Sequence, residues 1–207
     1  MSQSQSKFEP VLIYLHGFLS SPQSFKCQQM RAWLADSHPR ITFCAPQLSP
    51  HPGIAMEALS ALLQRYTTQQ APVPIGLVGS SMGGFMATVL GERYRLPAVL
   101  VNPAVQPARF MPAYLGQTLR PYSGEEREYR LTRADVDTME ELEGEIPAPL
   151  QGRYWLLAQR GDETLDCREA EAFYRGQRQT IEEGGDHSFQ GFERYHQAII
   201  DFLFNQQ

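Results

Sequence analysis

Apolar residues along this chain gather in short unbroken runs separated by longer stretches of helical period. The runs fall at Val11-Leu12-Ile13-Tyr14-Leu15, 41–44, 74–78, 97–101 and 153–158, with a shorter one near 178–181. Runs this brief, without polar alternation, predict strands covered on both faces. Helical patterns lie between them. One covers about 22–35, with Ser21 as cap and Pro22 at the first position. A second covers 54–69, where Met56, Leu59, Leu62, Leu63 and Tyr66 share a face. Others cover 83–94, 167–174 with Asp166 as cap, and 190–204. Strand–helix alternation of this kind predicts an α/β fold: a mostly parallel sheet of about six or seven strands with helices on both faces.

The alternation breaks between residues 104 and 149. Pro107, Pro112, Pro121, Pro147 and Pro149 punctuate the segment, with helical stretches near 107–115 and 133–142. Phe110, Met111, Tyr114, Leu115 and Tyr122 either line a substrate pocket or form the buried face of connecting helices. Arg127, Arg130 and Arg133, interleaved with Glu125, Glu126, Glu128 and Asp135, read as a solvated helix face.

The strongest chemical signal is Gly79-Ser80-Ser81-Met82-Gly83, placed where an apolar run stops and a helical pattern begins. As a bare pentapeptide, G-x-S-x-G arises by chance in roughly one chain in fifteen of this length. The strand before it and the helix after it are the added information. A sharp strand-to-helix turn exposes the serine hydroxyl, and the flanking glycines avoid collisions across the turn. A serine nucleophile needs a histidine base, and the base needs a carboxylate to orient it. Of the five histidines, His187 lies in a Gly-rich loop after a short strand. His38, His51 and His196 have no motif around them and read as solvated or helix-surface residues. Asp162 follows the strand at 153–158 after a Gly turn. Glu163, Asp166 and Asp186 compete with it, Asp166 reading as a helix cap and Asp186 as pointing away from the imidazole. The order Ser81, Asp162, His187 is that of α/β-hydrolases. His16-Gly17-Phe18 follows the first strand, and the backbone amides of Phe18 and Met82 are the expected oxyanion donors. The imidazole of His16 reads as structural.

The chain resembles the α/β-hydrolase superfamily, and within it the bacterial YqiA/YcfP-type esterases. The resemblance rests on Ile13-Tyr14-Leu15-His16-Gly17-Phe18, Gly79-Ser80-Ser81-Met82-Gly83-Gly84, Val101-Asn102-Pro103-Ala104, Gly161-Asp162-Glu163 and Gly184-Gly185-Asp186-His187-Ser188-Phe189. It implies one domain over 1–207 with a cap-like insertion at 104–149, and cleavage of simple acyl esters through Ser81, Asp162 and His187. An acyl-thioesterase with the same residues, a cofactor-free haloperoxidase, or a non-catalytic protein of the same fold are the alternatives. No metal or organic cofactor is expected. The chain departs from many hydrolases in having only a polar tail, residues 1–7, before the first strand, hence a trimmed sheet.

Composition narrows the setting. With 207 residues, 42% hydrophobic content and a formal charge of -5, the chain suits one domain and carries no basic cluster for nucleic acid. Neither a secretory signal nor a membrane span is expected. Cys27, Cys44 and Cys167 are odd in number and widely spaced, which argues against disulfides and zinc and for a reducing cytoplasm. The expected partner is a small acyl ester or thioester; oligomeric state is not legible.

Overall fold

The computed structural model describes residues 9–68, 73–124 and 126–205; the polar tail at 1–7 and Glu125 lie outside them. The strands are β1 (Val11–Leu15), β2 (Thr42–Cys44), β3 (Ile75–Ser80), β4 (Ala98–Val101), β5 (Tyr154–Gln159) and β6 (Arg178–Glu182). They form one sheet in the order β2-β1-β3-β4-β5-β6, and every pairing is parallel.

Because side chains alternate across a strand, each buried run divides between two cores. Leu12, Tyr14, Val78, Val99, Trp155 and Leu157 face one side. There they meet Cys27, Met30 and Leu34 of helix α1 (Phe25–Ser37), and Ile199 and Leu203 of the last helix. Ile13, Leu15, Leu77, Leu100 and Leu156 face the other side. That layer holds α2 (Pro52–Thr67), α3 (Met82–Tyr94), α4 (Arg133–Gly144) and α5 (Cys167–Phe173). The last helix, α6, spans His196–Phe204. Each fully buried Leu or Phe contributes about 1.5–3 kcal/mol. The four central strands, buried at every position, are thus a stiff base for whatever their ends present. No described helix is long and apolar enough to cross a membrane.

Several expected boundaries move, each for a local reason. The first helix starts at Phe25 rather than near 22, because the Ser21 hydroxyl accepts the Gln23 amide in a turn that precedes it. The stretch 107–115 is two 3₁₀ turns, Pro107–Arg109 and Met111–Tyr114, each begun by a proline at or near its first position. Residues 126–131 are not a helix face: Tyr129 pairs with Leu119 in an antiparallel bridge, and Leu131 is buried. The helix begins only after Thr132, whose amide and hydroxyl both donate to the Asp135 carboxylate in a capping box. The C-terminal pattern divides into a 3₁₀ turn, Phe192–Tyr195, and α6, after Gly191 takes φ 73°.

Candidate active site

The C-terminal ends of β1, β3, β4, β5 and β6 deliver the polar residues that meet over the sheet, as expected for loops of an open parallel sheet. β3 ends in the sharpest turn. Ser81 follows it directly with φ 56° and ψ -122°, and α3 starts at the next residue. A non-glycine residue held there costs on the order of 1–3 kcal/mol. Its neighbours enforce it: the Ser81 amide donates to Val101 O at 3.0 Å, and Ser81 O accepts the amides of Gly84 and Ala104. The two glycines of the motif are steric necessities. A Cβ on Gly79 would stand 2.3 Å from Gly83 O, and one on Gly83 would stand 2.1 Å from Leu15 O, both immovable backbone. Gly83→Ala should therefore destabilise the fold by about 3 kcal/mol, seen as a lower denaturation midpoint; an unchanged midpoint would mean that the turn is looser than described.

The Ser81 hydroxyl lies 3.1 Å from His187 Nε2. On the other side of the ring, His187 Nδ1 lies 2.8 Å from Asp162 Oδ2 and 3.0 Å from Oδ1. The Asp162 side chain is 2% exposed and that of His187 25%. Asp162 Oδ1 also accepts the amides of Thr164 and Leu165. Burial alone would raise this carboxyl, but the His187 bond and the two amides outweigh it and hold it below the usual carboxylate range. An ionised carboxylate only accepts, so Nδ1 must carry the proton and Nε2 presents its lone pair to the serine. An imidazole held in this tautomer can take a hydroxyl proton.

The other three acids have separate tasks. Glu163 accepts the backbone amide of His187 at 3.0 Å. Asp166 caps α5 through the Arg168 amide. Asp186 accepts from the Gln190 side-chain amide at 2.8 Å. Two of the remaining histidines, His51 and His196, are less solvated than the sequence suggests. His51 Nδ1 pairs with Asp135 at 3.0 Å, which ties α2 to α4. His196 is 1% exposed, packed between Trp33 and Phe192, which corrects the helix-surface reading. The 3₁₀ turn before α6 resets the helical phase and turns this ring inward. His16 donates through Nδ1 to Gly17 O and accepts the Leu48 amide at Nε2, so both ring nitrogens serve the backbone. Burial lowers its basicity, although the bond to Gly17 opposes this.

Two residues to which the sequence assigns no role organise the site. Asn102, just past β4, is 3% exposed and has φ 41°, a conformation asparagine tolerates. Its side-chain amide donates to Asp186 O and His187 O, and its Oδ1 accepts the Gln159 amide. Gln159, at the end of β5, accepts the amides of Asp186 and Gln190 and donates to Gln190 O. Together they pin the histidine loop to the loop that carries Asp162. Asn102→Ala should cost about 3 kcal/mol of stability, since it strands buried partners. It should also slow the reaction of Ser81 with a fluorophosphonate; wild-type labelling rates would limit Asn102 to packing.

Ser81 and His187 open into a cavity of about 400 Å³. Phe18 and Met82 line it, and Met82 is the first residue of α3, where helix amides lack intrahelical acceptors. Phe110, Tyr114 and Tyr122 bring aromatic surface from the 104–149 segment, and Phe18 packs on Tyr114 with ring centroids 5.6 Å apart. Met111 does not reach it. Met111 is 2% exposed and lines an adjoining void of about 10 Å³, of whose walls His16, Phe18 and Met82 also belong to the cavity. Leu115 packs against the core.

Comparison with known proteins places the chain. Among solved structures, Est1E from Butyrivibrio proteoclasticus with ferulic acid bound has a TM-score of 0.75 at 16% identity, covering 100% of this chain and 92% of that one. The mouse alpha/beta hydrolase domain-containing protein 10 has a TM-score of 0.68 at 18% identity, covering 95% and 90%. The Pyrococcus furiosus esterase Pf2001 has a TM-score of 0.65 at 14% identity, covering 96% and 82%. These likenesses establish the α/β-hydrolase fold. Residues 11–204 match the family described as "Uncharacterised protein family (UPF0227)", and the chain belongs to that family.

Proposed function

We propose that this protein is a serine hydrolase that cleaves carboxylic acyl esters through an acyl-enzyme intermediate. The observation that carries this reading is the continuous chain from Ser81 Oγ through His187 to Asp162, with contacts of 3.1 Å and 2.8 Å. His187 takes the serine proton as the hydroxyl attacks the acyl carbon. The amides of Phe18 and Met82 stabilise the oxyanion. The resulting imidazolium, steadied by ionised Asp162, protonates the leaving group. His187 then draws a proton from water, which attacks the acyl-enzyme and releases the acid. Residues 104–149 are read as a cap: Phe110, Tyr114 and Tyr122 line the cavity, and the Tyr122 amide donates to Leu19 O in the loop after β1. The names of the structural neighbours, two of them esterases or bound to an aromatic acid, agree with this reading without extending it to a substrate. Labelling of the native protein with a fluorophosphonate, followed by peptide mapping, tests it. The adduct should sit on Ser81 and disappear on prior denaturation; no adduct, or one elsewhere, would end the proposal.

A further inference from the structure

The cavity has a second wall, built by the first turn of α1, where Phe25 and Lys26 line it. Lys26 is the one lysine or arginine among the described lining residues. Its Nζ donates to Ser188 O at 2.6 Å, the carbonyl of the residue after His187. That bond uses one of three ammonium donors. The carboxylates whose charge reaches it, Asp186 and Asp162, are bonded to Gln190 and to His187. Neither is within ion-pairing distance of Lys26.

Two local effects oppose a cation here. The N-terminal turn of a helix carries the positive end of its dipole, and α1 has no acid in its first turn to offset it. Burial pushes the ammonium down to about 8, against the pull of Asp186 and Asp162. The fold thus holds a cation at some cost and, among the described residues, without a carboxylate in ion-pairing contact, beside the reacting groups. Catalysis by His187 requires the departing oxygen to lie against its Nε2. Lys26 is fastened to the residue that follows His187, while the insertion contributes aromatic side chains to the same cavity.

We propose that Lys26 receives an anionic group, carboxylate or phosphate, on the leaving-group half of the substrate. This assignment of substrate class rests on the serine-hydrolase reading above. The acyl half then meets Phe110, Tyr114 and Tyr122, and the charged half meets α1. A substrate with a neutral leaving group would leave the ammonium with Ser188 O as its hydrogen-bond acceptor.

The test compares 4-(butanoyloxy)benzoate with the neutral 4-(butanoyloxy)benzamide, which differ in charge and little in shape. Lys26→Met should raise KM for the acid about tenfold or more, as loss of a charge-assisted bond does, with no such rise for the amide. Any fall in kcat from losing the Ser188 contact should be common to both. Lys26→Arg should keep the preference. Wild-type KM for the acid should climb as pH passes about 8, where the ammonium loses its proton. In Lys26→Arg, with Asp162, Asp186, His187, Tyr114 and Tyr122 unchanged, it should stay flat. A readout free of turnover uses the Ser81→Ala background: calorimetry should find the acid bound at least tenfold tighter with Lys26 than with methionine. Equal KM changes on both compounds, no change on either, or equal binding by Ser81→Ala and its Lys26→Met double variant would overturn the proposal and leave Lys26 as a tether of the histidine loop. Fluorophosphonate labelling of wild type reports the serine reading separately: charge recognition without labelling would sink that reading, and with it the leaving-group assignment, and leave Lys26 as an anion site only.

Discussion

Ser81→Ala should lower kcat on a short-chain aryl ester by about 10⁶ and abolish fluorophosphonate labelling, with the fold intact. The size follows from where the serine sits. Its hydroxyl contacts His187 Nε2, while its backbone is held by Val101 O and by the amides of Gly84 and Ala104. Alanine keeps those backbone bonds and removes the hydroxyl on which the proposed acyl-enzyme would form. The residual rate would come from the oxyanion donors and binding alone. Stopped-flow kinetics and a thermal melt of the same sample separate lost chemistry from lost folding. A variant retaining even 1% of wild-type turnover would mean that His187 activates water directly.

Asp162→Asn should cost about 10⁴ in kcat. The amide has the shape of the carboxylate but not its hydrogen-bonding sign. Oδ1 accepts the Thr164 and Leu165 amides, so the asparagine oxygen takes that position. Its NH₂ then replaces Oδ2, 2.8 Å from His187 Nδ1, and donates to the ring. The imidazole must move its proton to Nε2, where it no longer accepts from Ser81. The variant also loses stability. The Asp162 carboxyl is held below its ordinary range in the fold, so its contribution is present above the unfolded carboxylate value and is lost as pH falls through the lower folded one. At neutral pH that contribution is complete in wild type and missing in Asp162→Asn. Nitrogen chemical shifts of the His187 ring would report the tautomer. Wild-type turnover with the proton on Nδ1 would shift the orienting role to another acid, with Glu163, already on the His187 amide, the first to try.

Much of this architecture is legible in the chain because periodicity is a local property. An unbroken apolar run such as Val11–Leu15 or Tyr154–Ala158 has few ways to satisfy both its backbone and its side chains except as an inner strand. The serine turn is legible for the same reason: Gly79 and Gly83 mark a backbone that admits no Cβ. Asn102, Gln159 and Lys26 are not legible in this way. Each is a single polar residue at the end of an element, with no repeat to distinguish it. What each does depends on a carbonyl or amide 27 to 162 positions away, as in Gln159 to Asp186 and Lys26 to Ser188. His196 was misplaced because one 3₁₀ turn changes the phase of everything after it, and the hydrophobic pattern does not register a turn that short.

The succession of strands and helices along the chain and the place of the serine turn follow from the sequence alone, since they rest on spacing among neighbours. Which residues clamp the histidine loop, which side chains wall the cavity and where Lys26 points required the folded chain. Those are contacts between loops whose only connection is the sheet beneath them, and no local pattern encodes a distance across it.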